Sequence, residues 1–300
     1  MTVTLAKSSY YFGITDVPIL IGRSRSFSEP DDPEPHPHDL TEIEHVHDFS
    51  ELMIVSKGFG IHCLEGTDFP VSSGDVFLLQ GHQRHYFHKR RHLEMLNVMY
   101  DPKRLDLPES DLREIPGYSA MFLLEPQFRK QHQFASHLRL NGDQLRVVIN
   151  KVTEMEREEK ERANGYKVML RSKLMELITY LSRTYGKEES TESEALMRIG
   201  HVIGVMEKDY HKDWKLEELV SMSHMSKSNL MTVFRKATGR TPMEHLLWLR
   251  IQRSIEMMQN QDLSITQIAF STGFNDSNYF SRRFRKITGQ TPRQYRSLNL

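Results

Sequence analysis

The sequence predicts an α+β multidomain chain: a β-barrel or sandwich first, then a helical hairpin, then an all-α region holding two helix-turn-helix units. Three observations carry this. Between about 45 and 100, short apolar or alternating runs are punctuated by glycine. Between 143 and 185, two stretches place apolar residues at helical spacing with polar opposite faces. Finally, SKSNLMTVFRKATGRTP (226–242) recurs as DSNYFSRRFRKITGQTP (276–292). An offset of 50 puts Phe234 on Phe284, Arg235 on Arg285, Lys236 on Lys286, Gly239 on Gly289, and Thr241-Pro242 on Thr291-Pro292. A tandem copy this close is one supersecondary unit used twice.

With 38% hydrophobic and 27% charged residues over 300 positions, the composition is that of a soluble globular chain of about two domains. No apolar run approaches the roughly 18 residues of a membrane span. MTVTLAKSSYYFG lacks the charged start and apolar core of a signal peptide. The single Cys63 excludes a disulfide framework and a CxxC metal site, and reads as a small buried apolar residue. A cytoplasmic protein with no membrane partner is expected. The net charge of zero hides an asymmetry. Residues 196–300 hold 16 Lys and Arg against 9 Asp and Glu, a surplus of seven, which residues 1–195 balance with 24 against 31. A polyanion-binding surface therefore belongs at the C-terminal end.

In chain order, 1–140 is expected to be a β domain. EPDDPEPHPHD (29–39) reads as a loop. FSELMIVS, GIHCLEG, DVFLLQ and LEMLNVMY read as strands, with short helices around Pro116–Leu124. Residues 141–186 form a helical dimerisation segment. Its stripes are Leu145, Val148, Val152 and Met155, then Leu170, Leu174, Leu177, Ile178 and Leu181. They either pack on the β domain or leave an exposed part as a dimer seam. Residues 187–195 fall in a polar stretch that reads as a linker.

Residues 196–300 hold the paired units, joined by a long helix over Met243–Met258. Ser226 and Asp276 cap the second helix of each unit, and Ser264 with Gln267 makes a capping box. Gly273 supplies a left-handed turn residue, with Ser223 in its place in the first copy. Leu230, Val233, Phe234, Phe280 and Phe284 face the core. Lys227, Ser228, Met231, Thr232 and Arg235 face outward in one copy, and Ser277, Asn278, Ser281, Arg282 and Arg285 in the other. Such a helix enters the DNA major groove by its N-terminal part. Arg282 can pair with guanine and Asn278 with adenine, whereas Arg235, Lys236, Arg285 and Lys286 suit phosphates or helix ends.

IAFSTGFNDSNYFSRRFRKITGQTPRQYR (268–296) and LEELVSMSHMSKSNLMTVFRKATGRTP (216–242) resemble the AraC/XylS family of transcription regulators. The resemblance implies two helix-turn-helix units on a rigid linking helix, reading consecutive major grooves about 34 Å apart.

His45, His47 and Glu51, followed by Gly58, Gly74 and His85, resemble the cupin metal motif. Gln80, His82 and Lys89 stand where cupins often have Pro, Gly and Asn. In metal-binding cupins the matching His45, His47, Glu51 and His85 hold one divalent ion, here of a kind such as Fe, Mn, Ni or Zn. The same segment resembles the sensor domain of sugar-responsive AraC members, particularly the rhamnose-type activators. There the positions of His45, His47, Glu51, His85 and Tyr86 line an effector pocket, with no cofactor required. Phe59 and Phe87 are further aromatic candidates, and His36, His38, His88 and His92 read as surface residues. The expected function is a sequence-specific regulator, an activator controlled by a small molecule such as a sugar and not an enzyme. Its implied partners are double-stranded DNA, the effector, RNA polymerase and a second copy of the chain. The alternative is a metal-dependent cupin enzyme with a DNA-binding appendage.

Overall fold

The computed structural model describes residues 4–12, 17–25, 43–125, 138–186, 191–258 and 263–299; the expected 29–39 loop, His36 and His38 lie outside them. The chain divides into two compact units, Met1–Glu194 and Ala195–Leu300. Among the described residues no helix is long and apolar enough to cross a membrane.

In the first unit eight strands form one sheet: β1 (Thr4–Ala6), β2 (Ile19–Arg25), β3 (His45–His47), β4 (Ser50–Leu64), β5 (Thr67–Ser72), β6 (Asp75–Leu79), β7 (His85–Tyr100) and β8 (Leu138–Arg139). Their order is β1-β3-β7-β4-β6-β8, with β2 on β7 and β5 on β4. Among the described residues β1–β3 pairs in parallel and the other ladders are antiparallel. FSELMIVS and GIHCLEG, separate runs in the sequence, join in the 15-residue β4. Gly58 permits this. It sits at φ 73, and a Cβ there would lie 2.0 Å from the His92 carbonyl oxygen. Register shifts between Val55 and Ile61 mark bulges, which bend and twist a ribbon.

In the β4–β7 ladder Glu51 pairs with Met99, and Leu64 pairs with His85 at the far end. Laid flat, those ends would stand roughly 45 Å apart. Yet Glu51 Oε2 and His85 Nε2 are 3.6 Å apart. The ribbon is therefore rolled until its ends meet, as a cupin-like barrel requires. Inside the roll, Met53, Val55, Leu64, Phe77, Phe87 and Met95 form the core. Cys63 is buried as expected, on the opposite face of β4 from Leu64. At one end the short helix Ser8–Phe12 packs Phe12 on Phe49.

Short helices, ending in a π-helical turn over Ser119–Leu124, fill the stretch after β7. The hairpin follows as helices Gly142–Glu161 and Tyr166–Tyr185, the first opened by an Asn141–Gln144 capping box. Val148, Val152, Met155, Leu170, Leu174, Leu177, Ile178 and Leu181 are all buried within this chain. The expected stripe is thus used internally, apart from the half-buried Leu145. The exposed apolar residues of the hairpin are instead Val147, Val168 and Met169. The expected linker 187–195 is corrected. Thr191–Lys208 is a helix, so 191–195 belong to its first turn and a half. The acidic residues that made TESEA look solvated also favour a helix N-terminus.

In the second unit, helices Leu216–Ser223 and Lys227–Thr238 form the first helix-turn-helix, and Ile265–Ser271 and Ser277–Thr288 the second. Pro242–Met257 joins them, and Pro292–Asn299 ends the chain. The repeated TG-x-TP is a stop-start signal. Gly239 and Gly289 end their helices at φ 72 and 81. Thr238 and Thr288 each close on the carbonyl four residues back at 2.9 Å. Thr241 and Thr291 then cap the next helix, reciprocated by Glu244 and Gln294, with Pro at the first helical position. The Ser226, Asp276 and Ser264–Gln267 caps form as expected.

Gly273 is left-handed at φ 86, but its counterpart in the first copy is corrected. There His224, at φ 51, takes the left-handed turn rather than Ser223. Ser223 stays helical: its hydroxyl bonds to the Val220 carbonyl and accepts from Met225 N, which moves the turn one residue on. Arg250, on the joining helix, donates to the carbonyls of Tyr210 and Lys212 at 2.8 Å each. Burial holds its guanidinium below the usual arginine range.

A Cβ at Gly273 would lie 2.6 Å from the His211 carbonyl oxygen and 3.0 Å from Arg250 Cζ, whereas Gly239 faces open space. Gly239→Ala should therefore cost only the left-handed term, about 1 kcal/mol. Gly273→Ala should cost clearly more, about 2–3 kcal/mol. Urea unfolding of the two variants checks the order; equal losses would contradict it.

Candidate functional site

The second helix of each helix-turn-helix unit turns one face to the core and the other outward. Leu230, Phe234, Phe280 and Phe284 are fully buried, each worth about 1.5–3 kcal/mol to the core. Val233 is half-buried. Lys227, Ser228, Thr232 and Arg235 are exposed and Met231 half-buried; in the second copy Asn278, Arg282 and Arg285 are exposed, and Ser277 and Ser281 half-buried. Some of these are already engaged. Lys227 pairs with Glu217 at 3.4 Å, and Arg235 lies 3.9 Å from Glu244. Ser281 donates to the Ser277 carbonyl at 2.9 Å. Sequence reasoning missed a pair on the flank of the second helix. Arg283 Nε donates to the Tyr279 hydroxyl at 2.9 Å, with the guanidinium 5.2 Å from that ring. One helical turn separates the two, a spacing that could have marked them. The first copy has Asn229 and Val233 in their places.

The sensor unit holds a cavity of about 440 Å³. His45, His47, Glu51 and His85 converge at its inner end, all buried. The β-strand period of two brings them together: His45 and His47 share one face of β3, while His85 and Phe87 share one face of β7. Ligand atoms of His45, Glu51 and His85 lie within 4.8 Å of one another. His47 Nε2 stands 3.3 Å from Glu51 Oε2.

Each of the three imidazoles has its Nδ1 on a backbone carbonyl: His45 on Ile43 at 2.7 Å, His47 on Phe49 at 2.7 Å and His85 on Gln83 at 3.1 Å. A carbonyl only accepts, so every Nδ1 carries a proton and every Nε2 of a neutral ring presents a lone pair. Burial pushes the Glu51 carboxyl up, but the imidazoles of His47 and His85 outweigh it and hold the group well below the usual carboxylate range. The inner pole is thus an ionised carboxylate faced by the Nε2 atoms of His47 and His85, at 3.3 and 3.6 Å, with His45 beside them.

Tyr86 is corrected. It lines no part of the cavity, lying instead opposite Cys63 and against His88. Neighbours on a strand face opposite sides, so Tyr86 cannot share the face of His85 and Phe87. Phe59 is half exposed, with Arg91 over its ring, and only Phe87 of the aromatic candidates reaches the cavity. His92 is exposed, while His88 is half-buried on Asp68. Asn97, Arg23, Glu156 and Lys160 also line the cavity and were missed. Only Asn97 carried a signal, as the lone amide within the apolar run LEMLNVMY.

A tandem helix-turn-helix unit in one chain with a sheet-rich unit that holds a buried polar cavity defines a DNA-binding regulator with a sensor domain. Residues 219–297 match the helix-turn-helix domain model, and residues 34–145 match that of the AraC-like ligand binding domain. The HTH-type transcriptional activator RhaS of Klebsiella pneumoniae (strain 342) is 31% identical over 254 residues, spanning 84% of this chain and 87% of that protein. The activator RhaR of Enterobacter sp. (strain 638) is 28% identical, spanning 84% and 86%. Among solved structures, the DNA-binding domain of AdpA in complex with a target DNA covers 34% of this chain and 91% of its own, at TM-score 0.33 and 24% identity. A variant of apo ToxT from Vibrio cholerae covers 95% and 99%, at TM-score 0.34 and 14% identity. The chain belongs to the AraC family of transcription regulators. It is a DNA-binding regulator rather than an enzyme, which sets aside the cupin-enzyme alternative.

Burial, reinforced by His85, lowers the His45 pKa from 6.5 to about 4. Between those values the unfolded chain binds a proton that the folded chain refuses. Stability is therefore full above 6.5 and falls as pH drops toward 4, by on the order of 3 kcal/mol. Glu51, with a lowered carboxyl pKa, adds a loss of the same sign at still lower pH. Melting of chelator-treated protein against pH checks this: His45→Gln should flatten the fall, and an unchanged slope would refute the assignment.

Proposed function

We propose that this regulator is a transcriptional activator controlled by a small polyhydroxylated effector, a sugar or similar polyol, bound in the barrel at His45, His47, Glu51 and His85. The buried carboxylate of the inner pole carries this reading. An ionised Glu51 among imidazoles rejects anions and attracts hydroxyl donors, which vicinal sugar hydroxyls supply. The names of the RhaS and RhaR relatives support the activator role, and with it contact to RNA polymerase. The exposed Val147, Val168 and Met169 of the hairpin support a homodimer.

A divalent ion is the second reading, favoured by the same Nδ1 locks, since ligating histidines characteristically anchor their other nitrogen. The imidazoles of His45 and His85 with the Glu51 carboxylate form the set, the expected fourth ligand His47 falling outside it; these donors suit Fe, Mn, Ni or Zn, and such an ion would bind effector hydroxyls as a Lewis acid.

On DNA, Asn278 and Arg282 read bases, with Arg285, Ser277 and Ser281 beside them. Lys227, Ser228, Met231, Thr232 and Arg235 form the weaker reader of the first copy. Arg283 clamps a phosphate: Tyr279 orients its guanidinium through Nε and leaves the opposite edge free for bidentate contact.

A duplex selected by the full chain from a randomised library tests the readers. Arg282→Ala should lose about 1–3 kcal/mol and relax preference at one base pair. Arg283→Gln should weaken all sequences alike and lower the salt slope by about 1. Unchanged base preference in the first, or an unchanged slope in the second, sinks that role. For the sensor, melting of the full chain with pentoses, hexoses and 6-deoxyhexoses should reveal a stabilising member whose effect Glu51→Gln removes. If chelation also removes it and one metal equivalent restores it, the ion is part of the site. No stabilising member ends the effector reading.

A further inference from the structure

The cavity does not stop at the histidines. It runs from His45, Glu51 and His85 past Asn97 to the rim formed by β2 and the end of helix Gly142–Glu161. Three observations along this path point the same way. Asn97 Oδ1 is buried with no partner. Its cross-strand neighbour is Gly22, which has no side chain to cover the amide, and a Cβ there would lie 3.1 Å from Met99 Cε. At the rim, Arg23 gives Nε and Nη2 to Glu156 Oε2 at 3.0 and 2.7 Å, and Nη2 also to Thr153 at 3.2 Å. Lys160 Nζ takes the other Glu156 oxygen at 3.2 Å. Both oxygens of Glu156 are therefore occupied. What Arg23 and Lys160 still present to the cavity mouth is donors: the Arg23 Nη1 edge and the remaining ammonium protons. The inner end is built on the Glu51 carboxylate, whereas the rim adds the donors of Arg23 and Lys160 beside the Glu159 carboxylate, with the amide of Asn97 between the two ends.

We infer that the cavity grips its effector at two poles, the second built from Asn97, Arg23 and Lys160, so that a bound molecule spans barrel and hairpin. This rests on the effector reading given above and adds the polarity of the ligand. Vicinal hydroxyls enter first, toward Glu51, and an oxygen acceptor at the opposite end meets Arg23 and Lys160. That acceptor is a carbonyl, ring or glycosidic oxygen, or a carboxylate. Helix Gly142–Glu161 seats Val148, Val152 and Met155 in the core and carries Glu156 and Lys160 over the mouth. A ligand reaching Lys160 therefore adds a tie between sheet and hairpin, beside the one Arg23 makes with Glu156.

The test is calorimetric titration of the full chain with the most stabilising aldose of the panel and with its uronate. Wild type, Glu51→Gln, Asn97→Ala and Lys160→Met are compared. Lys160 is exposed, so its replacement leaves folding intact. Asn97→Ala and Lys160→Met should each weaken binding about tenfold, the size of one hydrogen bond. A larger loss for the uronate in Lys160→Met identifies a carboxylate as the acceptor; an equal loss identifies a neutral oxygen. Amide exchange over 153–161 should slow on binding in wild type and not in Lys160→Met. If Glu51→Gln abolishes binding while the other two variants bind like wild type, the second pole falls and the effector reading stands. If no aldose or uronate binds wild type, both fall together. Unaltered exchange over 153–161 in a wild-type complex overturns the bridging.

Discussion

The long antiparallel pairing of β4 with β7 is the constraint on which the sensor unit depends. Every inward group of the cavity's inner half is set by it or by strands attached to it. Glu51 enters at one end of the ladder and His85 at the other, and only the rolling of the ribbon brings them within 3.6 Å. The roll in turn depends on bulges around Gly58, where backbone approaches backbone too closely for any side chain. A bulge is thus the remote cause of the acceptor cluster. Flatten the ribbon and the same four residues lie too far apart to share one ligand. This is why a sequence motif of histidines and a glutamate becomes a site only through glycines that never touch it.

The second unit solves a different problem, holding two nearly identical readers at a fixed spacing. The matching residues of the repeat turn out to be punctuation. Gly239 and Gly289 stop a helix, Thr241 and Thr291 start the next, and Phe234 and Phe284 fill the cores. What differs between copies lies outside the cores: Asn229 and half-buried Val233 against Tyr279 and half-buried Arg283, Thr232 against Arg282. Arg250 braces the joining helix to the loop before the first unit and lies against the turn of the second. A half-buried guanidinium on two backbone carbonyls is costly to misplace, so it fixes geometry where a flexible apolar contact would allow sliding.

Much of this was legible in the sequence, for reasons that can be named. Helix caps, core stripes and the duplicated unit are local or periodic, so spacing reveals them. The histidine cluster was legible because strand period fixes which residues share a face. That same period should have excluded Tyr86, next to His85. The linker reading failed because an acidic polar run suits both a solvated coil and a helix N-terminus. Arg23, Glu156 and Lys160 were invisible for another reason. They meet through tertiary packing of residues some 130 apart, and a charged residue in an amphipathic helix has no mark that distinguishes rim from solvent.

Control of DNA binding by an effector needs more than a filled cavity. A ligand shifts an equilibrium only by the difference in its affinity for the two states. A polyol touching the barrel core alone meets His45, His47, Glu51 and His85, held to backbone by Nδ1 bonds and to one another by the rolled ladder. Such a rigid pole binds similarly whatever the hairpin does, and so transmits little. The rim is different in kind. Arg23, Glu156 and Lys160 belong to two elements, a strand and a helix, joined there by ion pairs at partly exposed positions, where such pairs contribute about 0–1 kcal/mol each. A single added hydrogen bond is comparable in size. The rim is therefore the place where binding of the proposed effector would outweigh the contacts already present, while the proposed inner pole would supply affinity.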